Sequence, residues 1–178
     1  MKTKSSLPPF AEQKGALNVI VECPKGDRNK YSYDQQTGFL VLTKVLPTGM
    51  VFPFNFGSIP STLADDGDPL DIVLLLEEPV CPLCLVRTRL LGVIKAEQGE
   101  KGKRERNDRF VGTAIYKDKA AEVGLIKKLD PQMLQQIERF FVSYNELLGK
   151  EFNVLSYEGP KTAWELVKKG HTRYAKSQ

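Results

Sequence analysis

Three carboxylates stand within six residues in Asp66-Gly67-Asp68-Pro69-Leu70-Asp71, directly ahead of the apolar run Ile72 to Leu76. Like charges that close repel, and two carboxylates about 5 Å apart cost on the order of 3 kcal/mol at an effective dielectric near 20. A chain that clusters them usually supplies cations, and hard oxygen donors point to magnesium, manganese or calcium. The spacing from Asp66 to Glu77 imitates an EF-hand calcium loop, with Asp68 in its third place. The imitation fails at the sixth place, which requires glycine and holds Asp71, and over Ile72 to Leu76, where that loop needs oxygen ligands. A divalent-cation site and a plain solvated turn are the readings that remain.

Two other groups of residues could carry chemistry. Lys101, Lys103, Arg104, Arg106 and Arg109 crowd one stretch, which suits a polyanion or a solvated loop balanced by Glu100, Glu105 and Asp108. Cys81-Pro82-Leu83-Cys84 has redox or zinc-knuckle spacing, and Cys23 and His171 could complete four zinc ligands. A lone Cys-x-x-Cys is a weak signal, so the cysteines are expected to be reduced, small apolar residues. His171 is expected on the surface of a basic helix, and Trp164 in the core.

The elements that position these residues can be read along the chain. Its 178 residues suit one domain, here expected over 16–178 behind an irregular arm at 1–15. With 41% hydrophobic and 27% charged residues disorder is excluded, and a net charge of +4 is compatible with nucleic acid, phosphates or no anionic partner at all. No apolar run reaches the roughly 20 residues a bilayer demands, and the basic start is followed by no secretory core, so a cytoplasmic address is expected. Leu17, Val19, Val21 and Cys23 alternate with Asn18, Ile20 and Glu22, the pattern of a half-buried strand that turns Glu22 away from the apolar face. Further strands are expected at Lys30 to Asp34, Phe39 to Leu46, Ile72 to Leu76, Val86 to Ile94 and Phe110 to Ile115, with a packed aromatic loop from Val51 to Pro60. Asp130-Pro131 reads as an N-cap with proline at the first helical position, opening a helix that carries Ile137, Phe140, Phe141 and Tyr144. A second helix is expected from Lys161 to Tyr174. Strands followed by helices point to an α+β, mainly β fold, a small closed barrel with both helices packed outside.

At this point the motifs converge. Asp66-Gly67-Asp68-Pro69-Leu70-Asp71-Ile72 resembles the signature of the soluble family I inorganic pyrophosphatases. The flanking order agrees: Val21-Glu22-Cys23-Pro24, Lys30-Tyr31, Asn55-Phe56-Gly57, Gly92-Val93-Ile94 and Phe140-Phe141-Val142-Ser143-Tyr144 resemble that family's segments over about residues 16 to 150. The resemblance implies an OB-like five-stranded barrel that uses Mg2+, with Mn2+ as a substitute, to hydrolyse pyrophosphate to two orthophosphates. It implies Asp68 as the group that orients or deprotonates the attacking water. Glu22, Asp66, Asp71, Glu97, Asn107 and Asp108 fall at the metal positions. Lys30, Lys44, Phe56, Arg109, Tyr144 and Asn145 fall at those that bind substrate and product phosphate. A homo-oligomer, commonly a hexamer in bacteria, is implied too.

The chain departs from the family pattern inside the site. Ser32 replaces a glutamate, Lys44 an arginine, Phe52 and Phe56 two tyrosines, and Asn145 a lysine. Glu97-Gln98 stands for an acidic pair only with a gap, and Asn107 falls where a metal aspartate belongs, with Asp108 beside it. The alternative is therefore a weak or silent relative that binds another phosphate compound or nucleic acid through the basic stretch 99–109.

Overall fold

The computed structural model describes residues 7–34, 36–115 and 130–178. The expected arm at 1–15 thus lies partly outside the described residues. Over residues 7–15 it lies against the folded body: Asn18 donates to Pro9 O at 2.8 Å, Ser61 donates to Leu7 O, and Phe10 stacks on Trp164 at 5.8 Å.

Five strands close into a ring. β1 (Leu17–Cys23) pairs with β4 (Asn55–Ile59), β4 with β5 (Leu70–Leu74), β5 in parallel with β8 (Arg109–Ala114), β8 with β6 (Leu85–Glu100), and β6 returns to β1. A closed ring leaves its members no free edge. All seven residues of β1 are buried, Asn18, Ile20 and Glu22 included, because β1 is hydrogen-bonded on both sides and covered on both faces. That corrects the half-buried pattern the alternation suggested.

The remaining elements decorate the ring. β2 (Asn29–Asp34) and β3 (Phe39–Val45) form a hairpin of their own that sets Lys30 opposite Lys44. β6 runs far beyond Ile94, and its outer half pairs with β7 (Lys103–Arg106) and with β9 (Glu151–Glu158). Two helices follow the N-cap and proline signals: α1 (Pro131–Glu146), where Asp130 accepts from Gln132 N, and α2 (Pro160–Ser177).

Two apolar clusters divide the interior. One joins Leu17, Val19, Ile72, Val93 and Phe110 to Ala163 and Val167 of α2, with Trp164 half-buried at its margin rather than inside it. The other joins Phe52, Phe56, Val73 and Ile94 to Ile137 and Phe141 of α1. One glycine fixes the strand spacing between β1 and β4. A Cβ on Gly57 would sit 2.2 Å from Ile20 O, a distance that only a shift of backbone could relieve.

Three expectations need correction. Asn55 to Ile59 is a strand inside the region expected as a loop, since Phe56 and the small residues Gly57 and Ser58 fit tightly between β1 and β5. The stretch 99–106 is a hairpin, and β9 was not foreseen; its alternation is interrupted by polar residues, and a bulge between Lys95 and Ala96 shifts its register. His171 is half-buried, with Nδ1 2.8 Å from Ser61 O and its ring edge-on to Phe10.

Candidate active site

At one mouth of the ring a cavity of about 190 Å³ gathers Glu22, Lys30, Lys44, Phe56, Asp66, Asp68, Asp71, Asn107, Arg109, Tyr144 and Asn145. Residues as far apart in sequence as Glu22 and Asn145 meet here because strand ends, a helix end and the acidic loop open on the same mouth. Glu22 closes β1, Lys30 opens β2, Lys44 lies near the end of β3, Arg109 opens β8 and Tyr144 lies in the last turn of α1. The acidic loop enters β5 through a turn that Gly67 permits with φ +90°. In that turn Asp68 N donates to Asp66 Oδ1 at 3.1 Å, and Ala64 N donates to Asp68 O.

One wall is anionic and strained electrostatically. Glu22 is 5% exposed, and its Oε1 accepts from Tyr33 N at 2.9 Å and Ser58 Oγ at 2.8 Å. Burial pushes its carboxyl up to about 7 despite those bonds, and the Asp71 charge adds to the rise. Asp66, at the open rim, also titrates above the ordinary aspartate range, through partial desolvation first and then the neighbouring Asp68 and Asp71.

The facing wall is cationic. Lys44 is held below the ordinary lysine range by desolvation and by the charges of Lys30 and Lys150. Arg109 is buried between walls: Nη1 lies 2.8 Å from Asp71 Oδ2, Nη2 donates to Gln98 Oε1 at 3.1 Å, and the guanidinium covers the Phe141 ring at 4.8 Å. Tyr144 carries Lys30 Nζ 5.9 Å from its ring centroid, and its hydroxyl is buried without a hydrogen-bond partner among the described residues.

Two expected site residues face elsewhere. Glu97 lies opposite Arg106 in β7 and Asn153 in β9, and strand alternation puts its neighbour Gln98 in the cavity instead. Asp108 accepts from Arg106 Nε and Ala96 N, so it staples the hairpin to β6. Asn107 does reach the cavity, where its Nδ2 donates to Asp66 Oδ2 at 2.9 Å and its Oδ1 accepts from Arg109. Phe56 contributes only an apolar ring, packed on Phe52 and Phe141. Asn145 is buried and donates to Phe141 O.

Sequence reasoning missed Gln98, Ser58 and Lys150 as cavity residues. The β2 register opposite Lys44 gave no hint of Lys150, which follows α1 and meets Lys44 only in three dimensions.

The donor set suits a hard cation: Glu22, Asp66, Asp68 and Asp71 offer carboxylate oxygens and nothing soft. Among the described residues no group of three or more Asp, Glu, His or Cys side chains is arranged to hold a metal ion by itself. The zinc set does not assemble, for Cys23 is buried with its Sγ bonded to Tyr31 while Cys81 and Cys84 are exposed. The basic stretch is largely consumed internally, Arg104 by Glu151, Arg106 by Asp108 and Arg109 by Asp71.

Comparison with known proteins agrees with this arrangement. A family model described as inorganic pyrophosphatase matches residues 19–175. The soluble inorganic pyrophosphatase 2 of Chlamydomonas reinhardtii is 34% identical over 94% of this chain and 85% of its own length. The soluble inorganic pyrophosphatase PPA1 of Solanum tuberosum is 33% identical over 92% of this chain and 76% of its own. Among solved structures, the inorganic pyrophosphatase from Thermus thermophilus superposes with a TM-score of 0.84 at 33% identity, covering 96% of this chain and 97% of that one. The one from Coxiella burnetii gives 0.81 at 33% identity. A ring of five strands, an aspartate loop at its mouth and a match of this length have one explanation, and the chain belongs to the inorganic pyrophosphatase family.

Proposed function

We propose that this protein hydrolyses inorganic pyrophosphate to two orthophosphates with Mg2+, for which Mn2+ can substitute. The observation that carries the reading is the opposition, across one small cavity, of Glu22, Asp66, Asp68 and Asp71 to Lys30, Lys44, Lys150 and Arg109. Carboxylates alone would repel a polyphosphate, and lysines alone would bind one without cleaving it.

In this reading Glu22, Asp66 and Asp71 hold the metal ions. When bound, such ions neutralise phosphate charge and lower the pKa of water. Lys30, Lys44 and Arg109 bind the phosphate oxygens, and occupancy by an anion offsets the desolvation and the neighbouring positive charges that depress Lys44. The Tyr144 hydroxyl donates to a phosphate oxygen, which would give it the partner it lacks. Asp68, exposed at the rim, receives the proton of the water that attacks phosphorus in line with the leaving phosphate. Asn107 offers a neutral and poorer ligand than a carboxylate, and Asp108 is turned away from the cavity, so the rate is expected below that of a site with a full acidic set. Within residues 99–109, Arg104 pairs with Glu151 and Arg106 with Asp108, which argues against a nucleic-acid surface on that stretch.

Membership of the family supports a cytoplasmic homo-oligomer as part of the same reading. Phe39, Val41 and Val45, exposed along β3, are apolar enough to take part in self-association. Light scattering of the purified protein decides that point, a single-chain mass refuting it. The catalytic reading is tested by Asp71→Asn, which should abolish magnesium-dependent phosphate release while the protein stays folded. Survival of that activity in pure protein would overturn the assignment.

A further inference from the structure

Cys81 and Cys84 lie outside the cavity and take no part in the function above. We propose that they form a thiol–disulfide modification site, closed into an intramolecular disulfide by exchange with a disulfide oxidant of the glutathione class.

Cys84 N donates to Cys81 O at 3.2 Å, which makes residues 81–84 a β-turn and brings its first and last Cα atoms within about 7 Å. Pro82 takes the second position and Leu83 the third with φ +64°, the arrangement of a type II turn whose third place ordinarily takes glycine. A leucine keeps that conformation only where its surroundings impose it. They do: Leu83 N donates to Val21 O at 2.8 Å, and Val21 N donates to Cys84 O at 3.0 Å. The turn is thus docked on β1 at the residue before Glu22. Both thiols are exposed, so an oxidant can reach either one, and the preformed turn holds their Cα atoms within the span a disulfide bridges.

The exchange balances in two steps. The thiolate of one cysteine attacks a sulfur of the oxidant, forming a mixed disulfide and releasing one glutathione thiolate. The thiolate of the other cysteine then attacks the protein sulfur of that mixed disulfide and expels the second glutathione. Two protein thiols are oxidised, one disulfide is reduced to two thiols, and the two protons leave with the departing thiolates.

The test uses the reduced full chain incubated with oxidised glutathione and read by intact mass, peptide mapping and thiol titration. The expected product has lost the mass of two hydrogen atoms, maps to a Cys81–Cys84 linkage and no longer exposes titratable thiols until unfolding uncovers Cys23. Reduction should restore the two exposed thiols. Cys81→Ser and Cys84→Ser should each instead carry one stable glutathione adduct. Stable adducts on the unsubstituted protein, a linkage through Cys23, or unchanged thiols in the presence of oxidant would each overturn the proposal.

Discussion

Glu22→Gln should make the metal-free protein more stable while removing its activity. Glu22 is buried, and its carboxyl is raised from an ordinary 4.5 to about 7. A group whose folded-state pKa is raised favours the fold fully below its unfolded value, and that contribution is lost as pH rises through the folded one. Between pH 4.5 and 7, unfolding of chelator-treated protein should therefore become easier. Near pH 8 the ionised form costs roughly 3 kcal/mol, at 1.36 kcal/mol for each pH unit of displacement. Glutamine retains an oxygen to accept from Tyr33 N and Ser58 Oγ and carries no charge. At pH 8 the variant should gain about 3 kcal/mol in urea denaturation, or a melting temperature higher by roughly 6 to 12 °C. It should also lose the decline above pH 4.5, and saturating Mg2+ should stabilise it less than the parent. Equal stability of the two proteins at pH 8, or an unchanged decline in the variant, would refute the placement of a charged, desolvated carboxyl at this wall.

Other perturbations follow from the packing. Asn55 is fully buried, its Oδ1 accepting from Lys25 N and Val80 N and its Nδ2 donating to Glu78 O, so Asn55→Ala should cost roughly 2 to 4 kcal/mol in chemical denaturation. Gly57→Ala forces a Cβ into the β1 backbone and should cost about 3 kcal/mol or prevent folding, seen as loss of soluble, cooperatively melting protein. Phe141→Ala removes a buried ring that packs on Phe56, Phe140 and Phe152 and floors Arg109; a loss of about 3 to 5 kcal/mol is expected, with a raised KM for pyrophosphate. Tyr144→Phe should leave stability within about 1 kcal/mol of the parent, because the hydroxyl has no hydrogen-bond partner among the described residues, and should weaken phosphate binding measured by calorimetry.

How far the sequence reached can be traced residue by residue. The aspartate motif and the N-cap at Asp130 are local signals, and the structure puts the former at the cavity and the latter at the head of α1. β4 was hidden because Gly57 and Ser58 are poor strand formers chosen for close approach, a tertiary demand that propensity does not encode. The exchange of Glu97 for Gln98 at the cavity is a matter of strand phase. Once 99–106 is a hairpin, alternation along β6 decides which side chain faces inward, and that hairpin was read as a loop. Lys150 and the pairing of Arg104 and Arg109 depend on contacts between distant segments, to which a one-dimensional charge count is blind.

The central claim is tested most directly by phosphate release from pyrophosphate by the purified protein across a magnesium titration, beside Asp68→Asn. Release that rises with magnesium, vanishes with chelator and falls by at least about a hundredfold in the variant is the expected result. No release above that of the variant at any magnesium concentration would contradict it.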